Sequence, residues 1–278
     1  MADPARRRPH NAAGPWFVDD TCIDCGTCMW MAPETFAEAD GMSAVHHQPG
    51  DGDERASAAL LACPTGSIGG PAGKVEFPRP IAGIEGVWHC GFHDRRSFGA
   101  TPYLVVTGAG RVMVDVPRFA APLRKQIDAD GGLQHIVLTH QDDVAAHAEW
   151  HDHTGAPRAI HQHDDHIGAE VLLTGRRGRV AGMEWFHVPG HTRGSVVFRH
   201  GDVLFSGDHL AGSVSQPQQL RAFRGACWYD WREQTKSMAM MADWDVAHVL
   251  PGHGAPWHGT ADEYRDAMGR LVDWMRER

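Results

Sequence analysis

Four cysteines in the N-terminal quarter of the chain have the type and spacing of ligands for a metal cluster. Cys22, Cys25 and Cys28 stand three positions apart, and Cys63 follows much later, directly before Pro64. Thiolates at every third position of a loop can wrap one face of a cubane cluster, and a distant fourth thiolate closes the site. Zinc sites built from four cysteines usually pair two C-x2-C knuckles, which this spacing fits poorly. The pattern therefore favours one 4Fe–4S cluster over zinc.

Histidines and aspartates in four later segments form a second group with metal-binding chemistry. The segments are Leu138–His147, Val188–Ser195, Phe205–His209 and Leu250–Gly254. Each of them ends a predicted strand or follows one closely, so their side chains can converge on one edge of the fold. Mixed imidazole and carboxylate ligation suits zinc, iron or manganese. A metal held there lowers the pKa of its bound water and polarises a substrate oxygen.

The elements that must position these residues follow from the hydrophobic patterning. Alternating apolar residues around a Gly108–Gly110 turn predict a β-hairpin, and a capping box at Thr260 and Glu263 predicts the start of the last helix. Further strands are predicted at residues 135–140, 183–188, 195–199, 203–206 and 246–250, and a helix at 142–151. Strands that alternate with helices and hairpins indicate stacked sheets covered by helices.

The cysteine segment resembles the single-cluster bacterial-type ferredoxins. The matching stretches are Cys22–Cys28, Ala32–Phe36 and Cys63–Ile68. The resemblance implies that all four cysteines bind a single 4Fe–4S cluster. Since there is no second set of cysteines, we expect one cluster in the chain.

The histidine and aspartate segments, in their order and spacing, resemble the metallo-β-lactamase superfamily and more closely its glyoxalase II-like hydrolases. That resemblance implies that His140, His191, Asp208 and His253 are metal ligands. Together the two resemblances predict an α+β ferredoxin-like domain followed by an αββα metallo-β-lactamase-like sandwich. The expected boundaries are a mobile tail at 1–13, the ferredoxin-like domain at 14–78 and the sandwich at 79–278.

The first histidine motif departs from the family's H-x-H-x-D-H pattern. Asp142 stands in place of the second histidine, and Val144 and Ala145 replace the last two ligands. Asp143 and His147, which are four residues apart on the predicted helix, would share one face and can substitute for the lost ligands. We predict that both reach the metal pocket, with a solvent-exposed polar helix surface as the alternative.

Two ligand sets are compatible with these positions. One would use His140, Asp142 and His191, and the other Asp143 or His147 together with a bridging Asp208 and His253. The sequence therefore predicts one or two divalent ions, iron or zinc, with Asp142 and Asp143 as the catalytic carboxylates. A degenerate, metal-free fold is the alternative.

Three further groups of side chains have weaker signals. His89 and His93 precede the hairpin and are candidates for the wall of the metal pocket. The run that contains His161, His163, Asp164, Asp165 and His166 is predicted to be a solvated loop. The aromatic residues Trp228, Tyr229 and Trp231 are predicted to pack in the core or an interface, with the wall of a substrate pocket as the alternative.

Charge and hydropathy restrict the partners of the protein. The net charge is −9, and the segment from Trp16 to Pro78 holds ten acidic residues against Arg55 and Lys74. This acidity argues against nucleic acid and allows docking of a basic redox partner on the ferredoxin-like domain. No apolar run approaches the roughly 18 residues that span a bilayer, and no signal sequence is recognisable, so a cytoplasmic protein without a membrane partner is expected.

A fused one-electron carrier has a direct use if the second site does redox chemistry. The leading hypothesis is therefore a metal-dependent oxidoreductase that acts on a small molecule and has a built-in 4Fe–4S electron relay. One alternative is a zinc-dependent thioester or ester hydrolase with a structural or redox-sensing cluster. The other is a non-enzymatic electron-transfer or sensor module on a degenerate scaffold. Metal content separates the three hypotheses. Iron beyond that of the cluster supports the oxidoreductase, zinc supports the hydrolase, and cluster iron alone supports the non-enzymatic module.

Overall fold

A computed structural model describes residues 2–278, and Met1 lies outside the described residues. Its N-terminal part is a small α+β unit. Two short strand pairs and two helices make up this unit: β1 (Phe17–Val18), α1 (Thr27–Met31), β2 (Phe36–Ala39), β3 (Met42–Val45), α2 (Glu54–Ala62) and β4 (Ile68–Gly69). β1 pairs with β4 and β2 with β3, both antiparallel. A core of its own, which includes Trp16, Phe36 and Val45, stabilises the unit.

Residues 2–13 pack against this unit, which corrects the prediction of a mobile tail at 1–13 for all of its residues but Met1, which lies outside the described part of the chain. Arg8 is buried, and its guanidinium donates to the carbonyls of Ser43 at 2.9 Å and Ala39 at 2.8 Å. The side-chain oxygen of Asn11 accepts from the backbone N–H groups of Val18 and Val45. Because these contacts satisfy backbone groups of three strands, residues 2–13 are part of the fold.

Two sheets build the remainder of the chain. The first sheet has the order β11-β10-β9-β8-β7-β6-β5. Its strands are β5 (Arg79–Pro80), β6 (Val87–His89), β7 (Tyr103–Thr107), β8 (Gly110–Val114), β9 (His135–Val137), β10 (Arg158–His161) and β11 (Val171–Leu173). From β5 to β8 neighbouring strands are antiparallel, and from β8 to β11 they are parallel.

The second sheet has the order β12-β13-β14-β15-β18-β19. Its strands are β12 (Arg177–Val180), β13 (Met183–His187), β14 (Val196–His200), β15 (Val203–Gly207), β18 (His248–Pro251) and β19 (Trp257–His258). Only the β15–β18 pair is parallel. A small separate pair consists of β16 (Ala211–Gly212) and β17 (Leu220–Arg221).

Helices cover the outer faces of both sheets. They are α3 (Ala121–Ala129), α4 (His147–Thr154), α5 (Trp231–Met241) and α6 (Ala261–Arg276). One apolar core, which includes Val105, Phe198 and Phe205, fills the space between the sheets. The predicted αββα sandwich is therefore confirmed, and α6 begins with the predicted capping box at Thr260 and Glu263. No helix within residues 2–278 has the length and apolar character that a membrane crossing requires.

The ferredoxin-like unit packs on the outer face of the first sheet, next to α3 and α4. Ala58 of α2 and Phe77 belong to the same buried cluster as Leu123 of α3 and Trp150 of α4. The two parts of the chain thus share an apolar interface, and the N-terminal unit is held close to the edge where the histidine and aspartate segments end.

Candidate metal centre and cluster site

The four predicted cluster cysteines line one cavity in the N-terminal unit. Cys22, Cys25, Cys28 and Cys63 surround it together with Pro64. Gly26 and Asp24 have φ angles of +76° and +57°, a left-handed conformation that bends the loop back on itself. None of the four cysteines forms a disulfide. The arrangement has the four converging thiols that one cubane cluster requires.

Burial and hydrogen bonds fit these sulfur atoms to a bound cluster. Burial raises the pKa of the Cys25 thiol to about 11 and raises that of Cys28 well above its usual value. Buried thiols of this kind become thiolates when a metal is bound. The backbone N–H groups of Asp24 and Ser67 point at the sulfur atoms of Cys22 and Cys63, at 3.4 and 3.3 Å. Such N–H···S contacts stabilise negative charge on a cluster and raise its potential.

A second cluster of side chains forms where strands of both sheets end. His140 follows β9, His191 precedes β14, Asp208 follows β15 and His253 follows β18. One ligand atom each from His140, His191 and Asp208 lie within 4.8 Å of one another. Three of the four family-like positions therefore meet at a single point, as predicted from the motif order.

A second position lies beside the first. Ligand atoms of Asp143, Asp208 and His253 are also within 4.8 Å of one another, so Asp208 belongs to both groups. The Nε2 atom of His140 is 3.9 Å from the Asp143 carboxylate and 3.6 Å from that of Asp208. The two positions thus share the Asp208 carboxylate, and a bridging role for Asp208 between two ions stays a prediction.

Asp142 lies at the open side of this centre. Its carboxylate is 3.4 Å from Nε2 of His191 and 3.9 Å from Nε2 of His140, and 42% of its side chain is exposed. The close contact with His191 and the charges of the two nearby imidazoles lower the pKa of Asp142 despite partial burial. It is the most exposed of the three carboxylates of the centre, since the side chains of Asp208 and Asp143 are 12% and 2% exposed.

The buried charges of the centre hold its groups in different protonation states. Burial and the nearby carboxylate of Asp208 raise the pKa of Asp143 well above its usual value. Burial opposes ionisation of Asp208, but the adjacent His253 and His140 outweigh it and lower the pKa of Asp208. Burial lowers the pKa of His140 to about 4, so its imidazole is neutral at pH 7. A bound cation would compensate these crowded carboxylates.

The residues present fit a metal on two structural grounds. Nε2 of His140, Nε2 of His191 and one carboxylate oxygen of Asp143 are buried and have no hydrogen-bond partner. Buried polar atoms without partners are costly, and a metal ion would satisfy all three. In addition, a Cβ atom at Gly252 would lie 2.7 Å from an Asp208 oxygen and 2.9 Å from an Asp143 oxygen. Only glycine leaves room for both carboxylates to approach each other here.

The prediction that His147 points into the metal pocket is wrong. The predicted helix at 142–151 is instead a short 3-10 turn at Gln141–Asp143, and α4 begins at His147 after Ala145 with a φ of +23°. Asp143 and His147 therefore do not share a helix face. Nδ1 of His147 accepts a hydrogen bond from Arg158 at 2.8 Å. Asp143 is buried in the centre as predicted, and His147 is outside both ligand groups.

Two buried aspartates that the sequence did not single out as functional position the ligands. Asp115 accepts from the N–H of Thr139 at 2.9 Å and from its hydroxyl, and Thr139 in turn contacts Nδ1 of His140 at 2.9 Å. This chain leaves Nε2 of His140 free to face the centre. Burial raises the pKa of Asp115 to about 7.

Asp164 ties the His140 and His191 segments together. It accepts from the N–H of Gly194 at 2.6 Å, from the Thr192 hydroxyl, and from the N–H of Gln141 at 3.2 Å. The prediction that the 161–166 run is a solvated loop is therefore wrong for His161, which is buried at the end of β10, and for Asp164, which is buried as well. The position of Asp164 in a histidine-rich run beside a strand end was the only signal in the sequence.

His89 and His93 are buried at the interface between the N-terminal unit and the first sheet. Their Nε2 atoms are 2.7 Å apart, and Nδ1 of His93 is 2.8 Å from the carbonyl of Gly99. Because that carbonyl can only accept, Nδ1 of His93 carries the proton, and Nε2 of His89 donates to His93. His93 contacts the cluster side through the Thr27 hydroxyl, at 3.3 Å, and both histidines are outside the two metal-ligand groups.

Exposed aromatic rings flank the centre. Trp228 is 67% and Tyr229 50% exposed, so the prediction that they pack in the core is wrong. Their backbone N–H groups donate to the carbonyl of His191, which holds them beside the ligand loop. On the other side, Phe98 is 53% exposed, with its ring centre 6.0 Å from that of His253. These rings bound the approach to the metal positions.

Comparisons with known proteins agree with both parts of this description. A family model described as the 4Fe-4S single cluster domain of Ferredoxin I matches residues 18–70. Among solved structures, a metallo-β-lactamase from Erythrobacter litoralis superposes with a TM-score of 0.54 at 15% identity, over 70% of this chain and 95% of its own. One from Hirschia baltica gives 0.52 at 15% identity, over 69% and 96%. The DIM-1 metallo-β-lactamase gives 0.53 at 18% identity, over 69% and 96%.

The chain thus has two parts: residues 18–70 match the model of a single-cluster 4Fe-4S ferredoxin domain, and the remainder has the metallo-β-lactamase fold. At these identities the structural likeness shows the fold alone. The resemblances inferred from the cysteine and histidine motifs are confirmed at that level.

Proposed function

We propose that this protein is a metal-dependent oxidoreductase that acts on a small molecule and whose 4Fe–4S cluster exchanges electrons with the metal centre. The observation that supports it is the position of one segment, residues 93–101, between the two sites. On the cluster side, the hydroxyl of Thr27 donates to the carbonyl of Gly99 at 3.3 Å. On the other side, the N–H of Thr101 donates to the carbonyl of Gly252, next to His253, at 2.7 Å. A structural or remote cluster would not need this proximity.

The donor set suits a redox-active ion. Three imidazoles and three carboxylates are ligands that iron accepts in either common oxidation state, and zinc accepts them as well. When bound, such a metal supplies a Lewis acid and a one-electron site for a substrate oxygen. Asp208 neutralises positive charge in both positions, and His140 stays neutral and so keeps a lone pair for a metal. Asp142, at the open side, can accept a proton from a bound substrate or return one to it.

The electrons would come from an external one-electron donor. Ten acidic residues against two basic ones between Trp16 and Pro78 give this part of the chain a strongly negative charge. A carrier with a basic docking face would be attracted to it, and the association rate would fall as salt is added.

Metal analysis with electron paramagnetic resonance of anaerobically prepared protein tests the proposal. We expect iron in excess of the four atoms of one cluster, and reduction of that extra iron when a low-potential donor is added. A Cys63→Ser variant that loses the cluster should keep the extra iron but lose its rapid reduction. Zinc at the centre of native protein, with no redox change there, would refute the proposal.

A zinc-dependent hydrolase is the second candidate, and it is favoured by the fold. The solved structures with which the chain superposes bear the name metallo-β-lactamase. In that case a water on the metal would attack a carbonyl carbon, and the cluster would not take part in turnover. Hydrolysis of thioester or ester substrates at equal rates by the native protein and the Cys63→Ser variant would support this candidate.

A further inference from the structure

The backbone of Gly99 lies against a cluster ligand. A Cβ atom at this position would be 2.9 Å from Cβ of Cys25, 3.0 Å from its sulfur and 2.9 Å from Cγ of Pro64. Gly99 also has a φ of +84°, which residues with a side chain rarely adopt. Glycine is therefore required twice: for the turn, and for direct contact between the 93–101 segment and the cluster loop.

The neighbouring peptide contacts the metal centre. The carbonyl of Phe98 is 3.4 Å from Nε2 of His253, a long hydrogen bond, while Nδ1 of His253 is 2.7 Å from an Asp208 oxygen. Since a carbonyl and a carboxylate both only accept, both ring nitrogens of His253 donate here; a metal bound at Nδ1 would replace the proton on that atom, and Nε2–H would still donate to Phe98. Histidines that bind a metal with one ring nitrogen characteristically donate the other N–H to a carbonyl. Phe98 therefore orients His253 towards the metal position.

We propose that electrons enter the centre on the side of Asp143, Asp208 and His253, through the Cys25–Gly99 contact and the Phe98–His253 hydrogen bond. This inference rests on the proposed function. The path consists of one van der Waals contact, one peptide unit of about 3.8 Å between Cα atoms, one hydrogen bond and one imidazole ring. Gly99 and Phe98 are positioning residues for this transfer.

The transfer balances as a single electron. The reduced cluster would lose one electron, and a ferric ion held by Asp143, Asp208 and His253 would become ferrous. A one-electron carrier of the reduced ferredoxin or flavodoxin type then reduces the cluster again; dithionite replaces it in the test. The metal position formed with His140 and His191 has no comparable hydrogen bond that links it to the segment beside the cluster. Within residues 2–278, no hydrogen bond joins either of these histidines to the 93–101 segment.

Gly99→Ala tests the contact, and Gly83→Ala is its matched control. The φ angle of Gly83, +80°, is close to that of Gly99, but a Cβ atom at Gly83 would meet nothing within 4 Å. The two variants therefore share the cost of the left-handed conformation, and only Gly99→Ala separates the segment from Cys25. In full-length, iron-loaded protein, rapid mixing with dithionite followed by freeze-quench resonance spectra measures how fast the centre is reduced after the cluster.

We expect Gly99→Ala to slow this intramolecular phase several-fold and to weaken the magnetic coupling between reduced cluster and centre, at unchanged iron and sulfide content. Gly83→Ala should match the native protein. Equal rates and coupling in Gly99→Ala and Gly83→Ala would overturn the route. If the native protein itself shows no reduction of the centre by the cluster, the proposed function fails and the route fails with it.

Removal of single ligands tests the side of entry even if Gly99→Ala does not fold. His191→Ala should leave an ion in the Asp143, Asp208 and His253 position that the cluster still reduces quickly. His253→Ala should leave an ion only near His140 and His191, and the fast phase should be lost. A fast phase that persists in His253→Ala and disappears in His191→Ala would place the entry on the opposite side.

Discussion

Replacement of His191 with alanine removes one ligand atom from the position formed with His140 and Asp208. His191 is buried, and its Nε2 has no hydrogen-bond partner, so the replacement breaks no hydrogen bond at that atom. We expect weaker metal binding at this position, while the cluster cysteines stay unaffected. His147→Ala is the matched control, because that imidazole contacts Arg158 and lies outside both ligand groups.

The size of the effect follows from the share of binding free energy that one ligand carries. A four-ligand site binds zinc with about 12 kcal/mol, so each ligand contributes about 3 kcal/mol, or about a hundredfold in affinity. His191→Ala should therefore lower the affinity of one ion per chain about a hundredfold. His147→Ala should leave it unchanged, because Arg158 keeps its 2.6 Å ion pair with Glu170 and the start of α4 stays in place.

Competition with a chelator of known affinity, followed by metal analysis, measures this difference. Acid-labile sulfide in the same samples reports whether the cluster remains. If His191→Ala and His147→Ala retain metal equally well against the chelator, His191 is not a ligand. An equal loss in both variants would instead indicate that His147 supports the site in a way that its contact with Arg158 does not explain.

Three further perturbations have outcomes that follow from single contacts. Cys63→Ser should remove the cluster, measured as lost iron and sulfide, but retain metal at the centre; simultaneous loss of both metals would contradict two independent sites. In the metal-free protein, burial raises the pKa of folded Asp115 to about 7, whereas the unfolded chain releases this proton near pH 4. The free energy of unfolding of the native protein should therefore fall as the pH rises from about 4 to 7, and Asp115→Asn should lack this part of the pH dependence. Thermal melts of native protein and variant that stay parallel from pH 4 to 7 would contradict this. Thr260→Ala should cost about 1 kcal/mol of the free energy of unfolding, because the capping box at the start of α6 is lost; an unchanged melting temperature would refute that role.

The sequence predicted the parts of the structure that local patterns specify. The cysteine spacing indicated the cluster domain because three of its ligands lie in one short loop. The glycine turn near residue 109 and the Thr260 capping box predicted the β7–β8 hairpin and the start of α6 for the same reason. Motif order, rather than any single motif, indicated that His140, His191 and Asp208 would meet.

The errors arose where tertiary contacts override local preference. Ala145 adopts a positive φ that its residue type disfavours, and this turn delays the start of α4 and turns His147 away from the centre. Arg8 looked like part of a charged tail, but carbonyls of a distant hairpin bind its guanidinium. The role of Asp164 depends on backbone N–H groups from two other segments, which no local pattern encodes.

The most direct test of the central claim is a stepwise reduction of anaerobic protein enriched in 57Fe, followed by Mössbauer and resonance spectra. The account predicts iron at the centre in addition to the cluster, and predicts that the centre changes from ferric to ferrous as electrons are delivered through the cluster. In Cys63→Ser the same iron should stay ferric over the time in which the centre of the native protein is reduced. A centre that holds zinc, or iron that stays ferric while the cluster is fully reduced, would contradict the claim that the two sites exchange electrons.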